Sequence, residues 1–402
     1  MTSEISDAAA QVLAVLARSH ELSRAELSRA SGLSVPTISS AIEELGKAEL
    51  AERTRARQGE LGRAASLYGI SKRAGWLLGL DVGSTQIHVV ARSLGGELLS
   101  EFRYETHGAT SLAGDTLTAM AAQQVAQHVA ELPAEHGPLR SIGIAVPHVV
   151  PNQPTPASMI RLGARGEAQL QELLSALAVP GDVPVVLENN VNCAALAEMT
   201  LGAAREWTDF VYLQIGVGIG AGIISDGRLH RGASGAAGEI AAIPFPWQPA
   251  DPSGAQPGNL EEYLGSAGLM HRYWDSIDSE RDPRASTVRE VFERAQQGDP
   301  VARRSADVHA SDVAALVRTL VAVLDPAQIL LGGGVGQNQL FVSAVATALA
   351  RDLPQIAVEV GELGVRATAE GATRLATEFA YSELLGARYQ PILVNQNSVR
   401  AG

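Results

Sequence analysis

The hydrophobic period of this chain changes abruptly near residue 75, and that switch limits what it can fold into. Before it, apolar residues recur at helical spacing: Val12, Leu13, Val15 and Leu16, then Val35, Ile38, Ile42 and Leu45. After it come short buried or alternating runs, WLLGLDV, QIHVVARSL and ELLSEFRYET, punctuated by glycine. Two kinds of folded unit therefore share the 402 residues, a length that allows two or three domains.

The helical part has a definite plan. Ser23 followed by Glu26 is a capping box, in which each side chain satisfies a free backbone N–H at a helix start. That helix runs to Ala30, and Ser31-Gly32-Leu33 forms a tight turn that needs the backbone freedom of glycine. Ser34 caps a third helix with Pro36 in its first turn, where a missing N–H costs little. Two short helices, a glycine turn and an amphipathic third helix make a helix-turn-helix. ELAERTRARQGELGRAASLYGIS then reads as strand, basic tip and strand: a wing. In such a module the exposed N-terminal end of the third helix enters the major groove. Here it carries Ser34, Val35, Pro36, Thr37, Ser39 and Ser40, while Arg55, Arg57 and Arg63 of the wing grip phosphates or the minor groove. The helix has no Arg or Asn for bidentate base contacts, which leaves a three-helix protein-binding module as the competing reading.

Charge agrees with this division. The net charge is −13, yet residues 1–75 hold ten Lys or Arg against nine Asp or Glu. Within 53–73 six basic side chains, Arg53, Arg55, Arg57, Arg63, Lys72 and Arg73, face Glu60 alone. A basic strip on an acidic body suits duplex DNA, and a solvated surface would look the same. One cysteine, Cys193, excludes an intramolecular disulfide framework and any zinc site needing several thiolates. No signal-type segment and no run of about 18 apolar residues is present, so a soluble cytoplasmic protein without membrane contact is expected.

Beyond residue 75 the order is three antiparallel strands, a helical stretch at 111–131, the strand SIGIAVP, a helix near 166–178 and the strand VPVVLE. A similar order returns with DFVYLQIGV, GAGIISDG, a short strand near Arg228, helices and AQILLGGGV. This is an α/β body of two related lobes, and a cleft between lobes is where ligands bind.

Four segments in this order carry a family likeness: LGLDVGSTQ, ENNVNCAALAE at 188–198, IGVGIGAGIISDG with GASGAAGEI, and LGGGV at 331–335. From about residue 8 to 388 the chain resembles the ROK family, specifically its repressor branch with a winged helix-turn-helix ahead of the body. The resemblance implies an α/β fold of two ribonuclease-H-like lobes, the actin-like sugar-kinase ATPase architecture. It places the winged helix at 1–74, lobe 1 at 75–188 with a helix of about 370–388 returning to it, and lobe 2 at 189–369. The tail 389–402 has no helical periodicity and is expected to be partly disordered.

The resemblance also implies roles for particular residues. Asp81, Gly83 and Thr85 form the first phosphate loop, Gly216 and Gly218 the second, and Gly333 the adenosine-side turn. Asn189, Asn190, Glu239 and Glu261 fall where the family holds sugar, and His148 follows Pro147 near the expected cleft. Glu239 as an internal hydrogen-bond partner, Glu261 as a helix-start acid and His148 as an exposed loop residue are the plainer alternatives.

Departures from the family pattern decide the activity. The kinases place an Asp at position 190 to remove the sugar hydroxyl proton; an asparagine amide has no protonation equilibrium near neutrality. Ser84, Gln86 and Val217 erode the phosphate loops further. Ala242 replaces the family's zinc histidine and the loop beyond it holds no cysteine, so neither zinc nor any other cofactor is expected. Trp247 in that proline-rich loop either stacks on a sugar or anchors the loop in place of metal. The expected protein is not an enzyme. It is a transcription regulator of carbohydrate genes that binds operator DNA as a homodimer or tetramer and responds to a sugar or sugar derivative. A kinase with an appended DNA-binding domain, and a DNA-binding protein whose body only dimerises, remain the alternatives.

Overall fold

The computed structural model describes residues 5–19, 21–58, 64–83, 86–105, 114–151, 175–176, 183–244, 259–277, 284–386 and 398–400. The chain divides into two compact units. One comprises Met1–Val146, Leu162–Glu188 and Ala372–Gly402; the other comprises Pro147–Arg161 and Asn189–Gly371.

The first unit opens with α1 (Asp7–Ser19), β1 (Leu22–Ser23), α2 (Arg24–Ser31), α3 (Val35–Lys47), β2 (Ala51–Gln58) and β3 (Ala64–Ile70). The caps are as the sequence dictates. Ser23 Oγ accepts from Glu26 N, and Glu26 Oε2 accepts from Ser23 N at 2.8 Å. Gly32 ends α2 with φ +73°, a left-handed conformation that an L side chain resists. Leu13, Leu16, Leu27, Ile38 and Leu45 are buried together. Val35 departs from the expected apolar face: it lies in the first helical turn and is 48% exposed. Strand β1 was not legible, because two residues have no period; Leu22 and Ser23 pair with Tyr68 and Leu67 and close a three-stranded sheet, β1-β3-β2.

A six-stranded sheet completes this unit. Strands β4 (Trp76–Val82), β5 (Gln86–Ser93) and β6 (Leu98–Glu105) form the antiparallel meander, and β7 (Leu139–Val146) runs parallel to β4. Next to β7 lies β8 (Pro184–Asn189). The predicted tail is not wholly irregular: Ser398–Arg400 pairs antiparallel with β8, while 387–397 lies outside the described residues. Helices α4 (Gly114–Glu131) and α5 (Pro133–His136) lie between β6 and β7 in sequence. Of the helix expected near 166–178, only 175–176 are described.

The C-terminal helix, Ala367–Leu385, starts in the second unit and ends in the first. Its Ala376, Ala380, Tyr381 and Leu385 share one apolar core with Leu77, Leu94 and the three winged-helix helices. Tyr381 Oη donates to the Leu94 carbonyl at 2.9 Å, so its buried hydroxyl is satisfied.

The second unit repeats the plan. Helix α6 (Asn190–Thr200) precedes the meander β9 (Phe210–Ile215), β10 (Ile219–Ser225) and β11 (Arg228–Leu229). After α7 (Leu260–Leu264), α8 (Ser266–Ser276), α9 (Val288–Gln296) and α10 (Pro300–Leu324), strand β12 (Gln328–Gly332) enters parallel to β9. Short α11 (Gly333–Gly336), α12 (Gln339–Leu349) and β13 (Ala357–Val360) follow, giving the sheet order β11-β10-β9-β12-β13. Each unit is thus an antiparallel meander extended by parallel strands. Leu213, Ile215, Val313, Val317, Ile329, Leu331 and Phe341 form part of its core.

A buried acid locks α6 in place. The Glu198 carboxylate accepts from the backbone N–H groups of Ala203 (2.9 Å), Glu362 (3.1 Å) and Leu363 (2.9 Å). Gly371, at the start of the C-terminal helix, packs backbone to backbone on Cys193 of α6, and a Cβ there would run into the Cys193 carbonyl. Gly371→Ala is expected to destabilise the chain by about 3 kcal/mol, the upper range for overpacking, read as a lower urea midpoint at unchanged slope.

Candidate functional site

The DNA-facing candidates lie on α3 and the wing. Ser34 caps α3: its Oγ accepts from Thr37 N at 3.3 Å and pairs with Thr37 Oγ1 at 2.7 Å. Ser39 Oγ donates to the Val35 carbonyl at 3.1 Å. Ser34, Val35, Pro36 and Ser40 are exposed at this end. In the wing, Arg55 is exposed and ion-paired with Glu21 at 2.7 Å. Arg73 likewise pairs with Glu49 at 2.9 Å, so acids distant in sequence offset part of the basic strip. Arg57 takes part in the strand, opposite Ala65, and its side chain lies outside the described residues, as does all of Arg63.

The sugar-side candidates Asn189, Asn190, Glu239, Glu261 and His148 all belong to the second unit. Asn189 is the N-cap of α6: its Oδ1 accepts from Val191 N (2.8 Å) and Asn192 N (3.2 Å). Its Nδ2 donates to Glu239 Oε1 (3.0 Å) and, more weakly, to the His148 carbonyl (3.4 Å). Asn190 Oδ1 also accepts from Val191 N, at 2.9 Å. Burial, reinforced by the neighbouring charge of Glu261, holds Glu239 above the usual carboxylate range. Burial holds His148 below the ordinary histidine value, so its ring is biased toward the neutral form. Two exposed acids, Glu239 and Glu261, and the amides of Asn189 and Asn190 offer both acceptors and donors, the inventory that adjacent hydroxyls require.

Glu261 reaches the glycine loop. Its Oε2 accepts from Ile219 N at 3.3 Å, and a Cβ on Gly218 would approach that oxygen at 3.0 Å. A Cβ on Gly216 would meet Gly334 N at 3.3 Å, and Gly333 adopts φ +77° beside the Ile215 carbonyl. The second loop and the adenosine-side turn are therefore assembled in one place. In the first unit, Asp81 is buried and accepts from Gln86 Nε2 at 2.5 Å. Desolvation pushes its carboxyl up to about 6, against the downward pull of that hydrogen bond. Gly83 N donates to the Gln86 carbonyl at 2.9 Å, closing the turn; Thr85 and Ser84 lie outside the described residues.

Two contributors escaped the sequence reading. Arg231, buried at 6% exposure, donates from Nη2 to the Val150 carbonyl at 3.0 Å and ties the His148 segment to the glycine-rich GASGAAGEI stretch. Glu198 looked like the end of a motif, and its partners at 362 and 363 are too far along the chain to signal it. The loop with Trp247 is outside the described residues; among those described, no group of His, Cys, Asp or Glu is placed to hold a metal. Among them, too, no helix is long and apolar enough to cross a membrane.

With this geometry in view, the family comparison is decisive: residues 77–378 match the ROK family. The chain belongs to the ROK family. Residues 3–60 match the MarR family, so this ROK protein carries a MarR-type winged helix. It is 26% identical over 327 residues to the xylose repressor of Caldicellulosiruptor bescii, covering 77% of this chain and 79% of that one. It is 27% identical over 260 residues to the xylose repressor of Bacillus subtilis, covering 64% and 66%. Its fold matches the crystal structure of a ROK family transcriptional regulator homologous to the Escherichia coli MLC protein. The TM-score is 0.71 at 22% identity, over 94% of this chain and 96% of that one. A ROK glucokinase from Streptomyces griseus, in complex with glucose and AMPPNP, matches at TM-score 0.59 and 24% identity, over 75% and 99%.

The raised Asp81 carboxyl makes a pH prediction. Below its folded value of about 6 the folded chain holds a proton that the unfolded chain gives up until near 3.8, so this group's contribution to stability rises as pH falls. Asp81→Asn is therefore expected to stabilise by up to about 3 kcal/mol near pH 8, and to lose most of that advantage near pH 4. Urea unfolding of both proteins across this range checks it.

Proposed function

We propose that this ROK protein is a sequence-specific, DNA-binding transcription repressor of carbohydrate genes, acting in the cytoplasm and controlled by a sugar bound at the Asn189–Glu239 cluster. One observation carries the reading: a winged helix precedes, in one chain, a ROK body whose α6 begins with Asn190 where the kinases need a base. Hydrogen-bonding capacity for hydroxyls persists there, while general-base capacity, typically worth about 10² to 10⁴ in rate, does not. The name of the two xylose repressors makes xylose the first effector to test. A ligand that prefers one conformation shifts the population toward it, and a homodimer or tetramer would transmit that shift to paired half-sites.

The assembled Gly216–Gly218 and Gly333–Gly334 turns favour one second reading, retained nucleotide binding in a kinase with an appended DNA-binding domain. Sugar-dependent ATP turnover by the purified chain would establish that reading, and its absence supports the repressor.

The direct test is fluorescence anisotropy on the DNA upstream of the protein's own gene. Binding is expected to weaken with salt by about 0.9 log unit per log unit for each phosphate contacted, and xylose or a related sugar is expected to shift it. Glu239→Gln should weaken the sugar response by about tenfold or more, the worth of a charged hydrogen bond, and leave sugar-free DNA binding unchanged. No binding beyond that to random DNA, at this and other candidate operators, would bring the protein-binding module to the front.

A further inference from the structure

We propose that the exposed end of α3 reads thymine methyl groups, with Val35 as the specificity-determining side chain. This rests on the DNA-binding reading above and deepens it.

The argument runs by the chemistry α3 offers. Its sequence, VPTISSAIEELGK, has no Arg, Asn or Gln, so the bidentate patterns that read guanine and adenine are missing. Its one Lys, Lys47, lies in the last turn and pairs with Glu43 at 2.8 Å. Three hydroxyls at the other end are engaged locally, while Ser40 is exposed. Ser34 and Thr37 bond each other at 2.7 Å as part of the helix cap, and Ser39 bonds back to the Val35 carbonyl at 3.1 Å. Exposed between Ser34 and Ser40 is an apolar pair: Val35, 48% exposed, and Pro36. Ile38, Ile42 and Leu45 of the same helix are buried, so Val35 stands apart from the core-forming face.

In the major groove only thymine presents an apolar group, its C5-methyl. A valine at the groove-entering end of a helix gains free energy against that methyl and gains nothing at a cytosine or purine edge. Charge complements this division of labour. Exposed Arg55, held by Glu21, can exchange its carboxylate for a phosphate, which adds affinity without sequence information. Affinity is thus ionic and discrimination apolar.

The test begins by selecting duplexes from a random library with the full chain. Each enriched dT is then replaced by dU, which removes only the methyl, and binding is followed by anisotropy at fixed salt. At one or two positions per half-site, dU is expected to weaken binding about fourfold per methyl, the worth of one buried CH₂. Val35→Ala should lose most of the dT-over-dU preference, with an unchanged salt slope; Val35→Ile should keep it. Val35 is exposed, so these variants leave the fold intact. Enriched half-sites with no methyl-sensitive position, or full discrimination retained by Val35→Ala, would overturn the inference and leave DNA binding standing. Failure to enrich any sequence would overturn the DNA-binding reading, and this inference with it.

Discussion

The second unit is organised around one side-chain amide. Asn189 ends strand β8 and caps α6, so its oxygen is committed to two backbone N–H groups that have no helical partner. The same side chain then aims its nitrogen at Glu239 and at the His148 carbonyl. A cap residue is fixed in rotamer by the helix it starts, so the acid it holds is fixed as well. Aspartate here could still cap the helix and could not donate to Glu239; serine could cap and could not reach as far. Helix capping and the pairing with Glu239 converge on one residue type.

The neighbouring acids bear on the sugar site proposed above. Partial desolvation, and then the charge of Glu261, holds the Glu239 carboxyl above the usual carboxylate range. Hydroxyl groups relieve that tension by donating hydrogen bonds, whereas an anionic group would add to it.

Much of the fold was legible because its signals are local. Ser23 with Glu26, Gly32 and Ser34 with Pro36 each act within four residues, and the meanders announce themselves by period. The misses have the opposite character. Val35 has the spacing of a core residue, but in the first helical turn no neighbouring element covers it. Strand β1 is too short for a pattern, and it exists because β3 is there to pair with it. Of the site residues, the sequence divided the sugar-side group between two lobes, His148 in the first and the rest in the second, where all five belong to the second unit; nor did it foresee that Asn189 is a cap first. Nor did it show the acids Glu21 and Glu49 folding back onto the basic strip, because those pairings are set by tertiary contact.

The winged helix is not a bead on a string. Its three helices share one apolar core with Leu77, Leu94 and the last turns of the C-terminal helix, and Glu49 and Arg73 brace the junction. A head tethered by a flexible linker searches a volume set by linker length, and tolerates variable separation between binding sites at an entropic cost. A head mounted in a common core has almost no such freedom. If two copies act together on DNA, as proposed, the distance between half-sites would be set by the folded body, and insertion of even a few base pairs would be met by strain in protein or DNA instead of by slack.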